Sequence, residues 1–118
     1  MYAVAGRLAG IDSNQTTVEV LSGSWRRVTP LPESRGGTGA AAVGGRLVSA
    51  GGEAPSGTIG SVYAYDPRTR RWERLPDLLT PRHGLAVVAV GRRVFVIGGG
   101  PRPGLFVSDA NEWLELPR

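Results

Sequence analysis

Apolar residues in this chain come in short runs, and glycine or proline interrupts almost every run. No window carries the i, i+3, i+4 spacing of an amphipathic helix, so the runs read as strands. The clearest set lies in the middle. Residues 39–43 form a strand of small side chains, and Gly44-Gly45 a two-residue hairpin turn. Residues 46–52 form a second strand that ends on Gly51-Gly52. A loop from Glu53 to Gly60 leads to a third strand over 61–65, residues 66–70 carry turn chemistry, and 71–75 form a fourth strand stopped by Pro76.

The pattern then repeats. Arg35 recurs as Arg82, 47 residues on, as do Gly37 as Gly84, Val43 as Val90, Arg46 as Arg93 and Trp25 as Trp72. Gly51-Gly52 recurs as Gly98-Gly99. A spacing held over so many landmarks marks a structural repeat, whose units cannot bury their apolar faces alone. Residues 84–90, 93–99, 105–108 and 112–116 are the four predicted strands of the later unit, with Gly91-Arg92 as a turn and a shorter loop over 100–104. The earlier unit supplies only three: residues 2–6, 18–21 and 24–28. The prediction is an all-β chain of eleven strands, divided into units at 1–33, 34–80 and 81–118.

Composition narrows the picture. With 18 Gly and 9 Pro in 118 residues, many short strands joined by tight turns are expected. No cysteine is present, which removes disulfides and thiolate metal sites. The stretch from Leu85 to Val90 is too short to span a bilayer as a helix, and residues 1–7 lack the basic start and apolar core of a signal peptide. The compartment stays open, with the cytoplasm slightly favoured. Net charge is +4, and all fourteen basic residues are arginine. They are scattered and interleaved with ten acidic residues, so the excess reads as genome composition and no nucleic-acid partner is expected.

Chemistry is sparse. His83 is the only histidine, and no metal site is expected of it. No nucleophile-elbow sequence is present. Gly98-Gly99-Gly100 follows an apolar strand, but Pro101 and Pro103 forbid the helix a dinucleotide loop needs. A Walker A loop needs lysine, which is absent. No catalytic residue and no cofactor are expected.

The doublet Gly51-Gly52, Tyr65 on the third strand and Trp72 opening the fourth resemble the kelch repeat. The other units depart from it: Ala5-Gly6 replaces the doublet and Leu21 the tyrosine in the first, and Ser108 stands at the tyrosine position in the last. The resemblance implies blades of a β-propeller, about 2.75 four-stranded antiparallel blades here. It implies glycine and alanine crowding the axis, with Trp25, Trp72 and Trp113 as wedges between blades, against a reading as sugar-stacking platforms. In a four-stranded meander the long loops share one face: residues 7–17, 53–60 and 100–104, with the links 29–36 and 80–83. Kelch adaptors use that face, and an arginine before the first strand grips acidic peptides. Arg35 and Arg82 stand at that position, and Glu53, His83 and Arg102 lie in the same loop cluster. Two readings of the arginines stand side by side: contact with an acidic ligand, or structural bonds to carbonyls of a neighbouring blade.

The expected function is therefore a non-catalytic scaffold, or a fragment of one, that binds a protein or peptide through one loop face, without a membrane. The alternative is part of a propeller enzyme acting on a sugar, of the sialic-acid-epimerase kind. Because propellers carry four to eight blades, three states are open: a piece of a longer chain, self-association that completes the ring, and a partial propeller standing alone.

Overall fold

The computed structural model describes residues 1–118. It contains ten strands and one short 3₁₀ turn at Ile11–Ser13. Strands β1 (Tyr2–Val4), β2 (Val18–Ser22) and β3 (Ser24–Arg27) form the first sheet. Strands β4 (Gly39–Val43), β5 (Arg46–Ala54), β6 (Gly57–Asp66) and β7 (Arg71–Leu75) form the middle one in the order 4-5-6-7. Strands β8 (Ala86–Val90), β9 (Arg93–Ile97) and β10 (Asn111–Glu115) form the third. Every pairing is antiparallel and joins successive strands, so each sheet is a meander blade.

The middle blade is buried on both faces because its alternation has two partners. Leu47, Tyr65, Tyr63 and Trp72 turn toward the first blade and pack with Val18, Val28 and Leu31. Val48, Ala50, Val62, Ala64 and Leu75 turn the other way and join Leu78, Leu85, Val94, Val96 and Leu116. The period of two thus sorts one sheet into two inter-blade cores. The inner strands come close: a Cβ on Gly39 would stand 2.5 Å from the Val87 side chain.

The doublets have a sharper requirement. Gly51 and Gly98 sit at φ 66° and 65°, in the left-handed region. A Cβ on Gly51 would also stand 2.5 Å from the Arg82 carbonyl oxygen. In the first blade Ala5 is held at φ 52°, which costs an L-residue energy that glycine avoids.

Three expectations change. The predicted loop from Glu53 to Gly60 is mostly strand: β5 runs to Ala54 and β6 starts at Gly57, past a register shift between Ala50 and Gly52. Residues 105–108 form no strand, so there are ten strands and not eleven. The interval from doublet to tryptophan is 20 residues from Gly52 to Trp72 but 14 from Gly99 to Trp113, too few for a third strand and its turn. β10, whose sequence reads as a fourth strand, therefore pairs directly with β9.

The third change follows for the tryptophans. Trp72 stacks on Tyr65 at 5.1 Å and donates its indole N–H to the Thr29 carbonyl of the preceding link. It wedges between blades as expected. Trp25 is 48% exposed, with no blade of this chain on its side of the first sheet. Trp113 is 56% exposed, because in its new lane it faces away from the middle blade.

Candidate functional site

The links before β4 and β8 are each fastened by an arginine. Arg35 and Arg82 are both 0% exposed. The Arg35 guanidinium donates to the carbonyls of Gly51 (3.1 Å) and Ser61 (2.9 Å) and to Glu33 (2.8 Å). It also lies 5.2 Å from the centre of the Tyr63 ring. Arg82 donates to the carbonyls of Gly98 (2.6 Å), Thr80 (2.9 Å) and Val96 (2.7 Å), and to the Glu112 carboxylate. Burial pulls the Arg35 guanidinium below its usual range, against the opposing pull of Glu33.

The backbones of the two arginines do the complementary job. The Arg35 carbonyl accepts from the N–H of Gly6 and the Arg82 carbonyl from that of Gly52. Each side chain thus grips the doublet of its own blade, while each carbonyl holds the doublet of the blade before. The structural reading placed these bonds on a neighbouring blade; the side chains instead bond carbonyls of their own blade, and the arginine carbonyls reach the neighbour. Both guanidinium groups are buried within the chain.

The other candidates do come together. The Arg7 guanidinium donates to Glu53 Oε1 at 2.7 Å. Asn14 Nδ2 donates to the Glu53 carbonyl at 2.7 Å. Glu53 Oε2 is buried without a hydrogen-bond partner, and His83 Nε2 lies 3.6 Å from it. That same nitrogen bonds the Arg102 carbonyl at 2.8 Å, and the exposed Arg102 guanidinium lies 5.5 Å from the centre of the Phe106 ring. Thr58 of the long hairpin donates to the Pro101 carbonyl at 3.3 Å. Glu53, His83 and Arg102 therefore occupy one polar junction on the loop face, where all three blades meet.

Sequence reasoning missed Arg7 as a member of this junction. The signal was available in the phase of the repeat, since Arg7 follows Ala5-Gly6 as Glu53 follows Gly51-Gly52. Gly36 makes the approach feasible: a Cβ there would stand 2.4 Å from the Arg7 guanidinium. A charge of opposite sign on the next blade turns this shared position into an ion pair across the joint.

Comparison with known proteins agrees with the blade geometry. The family model described as Kelch motif matches residues 34–79. Kelch-like protein terF of Aspergillus terreus is 31% identical over 99% of this chain and 27% of its own length. Human Kelch-like protein 34 is 31% identical over 75% of this chain and 16% of its own. The murine Influenza virus NS1A-binding protein homolog is 32% identical over 61% of this chain and 11% of its own. Among solved structures, YjhT superposes with a TM-score of 0.66 at 20% identity, covering 80% of this chain and 33% of YjhT, a likeness of fold. The chain spans about a quarter or less of the length of these curated relatives.

Proposed function

The chain belongs to the kelch-repeat family of β-propeller blades, and from that premise we propose that it is a non-catalytic scaffold whose loop face takes a protein or peptide partner. The observation that carries this reading is the convergence of Arg7, Glu53, His83 and Arg102 from three blades onto one rigidly framed face. Variable loops on a rigid frame are where recognition concentrates. The name of the murine relative, an NS1A-binding protein homolog, supports a protein as the class of ligand.

Acidic character in the partner would now be read by Arg102 and not by Arg35 or Arg82. Arg102 is exposed and makes no ion pair. Its guanidinium can donate two parallel hydrogen bonds to a carboxylate. Self-association belongs to the same reading: Leu21 and Trp25 on the first blade, and Val90 and Ile97 on the third, are exposed on faces of the kind that the middle blade buries.

A displayed peptide library selected on the wild-type chain tests the scaffold. Arg102→Glu combined with Ser56→Glu leaves the frame alone, since both positions are exposed. Clones enriched on wild type should be acidic and bind the double variant at least tenfold more weakly. Equal binding to both proteins would move the site off the loop face. Sedimentation over a range of concentrations tests self-association, and a constant monomer mass would refute it.

A further inference from the structure

The joint between the first and middle blades gathers positive charge that nothing in the chain neutralises. A crevice of about 190 Å³ opens there, lined among others by Arg26, Arg27, Tyr65, Pro67 and Arg70, and by no carboxylate. It lies at the end of the blades opposite the loop face, since β6 runs from the long hairpin at Gly57 to the turn that follows Asp66. None of the three arginines takes part in an ion pair. Arg27 stands opposite Glu19 in the sheet, which leaves Arg26 and Arg70 as the free cations of the crevice. The acidic residues of the adjoining turn and strand are occupied: Asp66 pairs with Arg68 and Glu73 with Arg46. Tyr65 is 2% exposed, and its hydroxyl has no hydrogen-bond partner within the chain.

The backbone supplies an independent observation. Arg70 stands 47 residues after Gly23, and both are held in the left-handed region, at φ 57° and 76°. Glycine adopts that conformation freely, whereas an arginine is strained by it. The middle blade thus carries a long cation where the first blade has no side chain at all. The Arg70 carbonyl accepts from the Thr29 hydroxyl at 2.8 Å, which pins this residue at the joint. Its guanidinium bonds nothing in the chain, so the strain serves no internal contact. Two unpaired cations facing one crevice also repel each other, and a bound anion removes that repulsion.

We propose that this crevice binds a phosphate group, free or carried on a small organic ester. Arg26 donates to its oxygens from the first blade and Arg70 from the middle one, and the Tyr65 hydroxyl supplies a further donor. Guanidinium forks match phosphate geometry, and bonds between charged partners are the stronger class.

Isothermal titration of the intact chain with inorganic phosphate and with phenyl phosphate, at fixed ionic strength, tests the site. Saturable one-to-one binding is expected, and the tighter probe identifies the source of the phosphate. Arg70→Gly restores the residue of the first blade. It should melt no lower than wild type without phosphate, yet bind about tenfold more weakly, the loss of a hydrogen bond to a charged group. Tyr65→Phe removes only an unpartnered hydroxyl and should weaken binding about threefold or more. Arg93→Gln, which removes the same charge from the third blade, should leave affinity unchanged. Absence of saturation at tens of millimolar of both probes would overturn the proposal. So would wild-type affinity in Arg70→Gly, or a loss in Arg93→Gln equal to that in Arg70→Gly, which would mark attraction to net charge alone.

Discussion

The Glu112 carboxylate meets the guanidinium of Arg82, which is wholly buried, and also accepts from the backbone N–H groups of Leu79 and Thr80. Burial pushes the Glu112 carboxyl up, but these donors outweigh it and hold it below its usual value of 4.5. A depressed carboxyl contributes stability that is fully present above the unfolded value and is lost as pH falls through the folded one. Glu112→Gln should therefore be less stable than wild type at pH 7. The gap should shrink below about pH 4.5. Urea unfolding of both proteins from pH 7 to pH 3 checks this, and a gap independent of pH would contradict it.

Removing the buried Arg35 guanidinium takes its donors from the Gly51 and Ser61 carbonyls. Arg35→Ala is expected to cost about 2–5 kcal/mol, since each buried carbonyl left without a donor costs about 1–3 kcal/mol. Arg102→Ala should cost less than about 0.5 kcal/mol, as an exposed position does. Equal losses in chemical denaturation would mean that Arg35 does not fasten its link.

Ala5 occupies a backbone conformation that glycine adopts in the other two blades. Ala5→Gly should stabilise the chain by about 0.5–1 kcal/mol, the relief of left-handed strain less the entropy glycine loses on folding. Gly51→Ala should do the reverse and more strongly, because its Cβ would meet the Arg82 carbonyl. Thermal unfolding of the pair gives the two signs.

Trp72→Ala should cost about 2–3 kcal/mol, since the ring stacks on Tyr65 and bonds Thr29. Trp25→Ala in the isolated chain should cost under about 1 kcal/mol, because half of that residue already meets solvent. Should Trp25→Ala prove as costly as Trp72→Ala, another blade covers the first sheet in solution, and concentration-dependent mass would then accompany the effect.

The repeat determined the order of the strands and the positions of the glycine doublets, and the resemblance to kelch repeats implied the blade type. These follow from local period and turn chemistry, which the chain carries wherever it goes. The wedge position of Trp72 between blades was legible from the same resemblance. Three features were decided only in three dimensions. β10 took the place of a third strand because six residues were missing upstream, and spacing decides which edge a strand can reach. Arg35 and Arg82 turned inward because unpaired carbonyls at the doublets had to be met by donors once water was excluded. Arg7, Glu53 and His83 became neighbours because three blades brought together residues that are 46 and 30 positions apart in the chain. Local pattern can specify a blade, but which groups face each other across a joint depends on how blades stack.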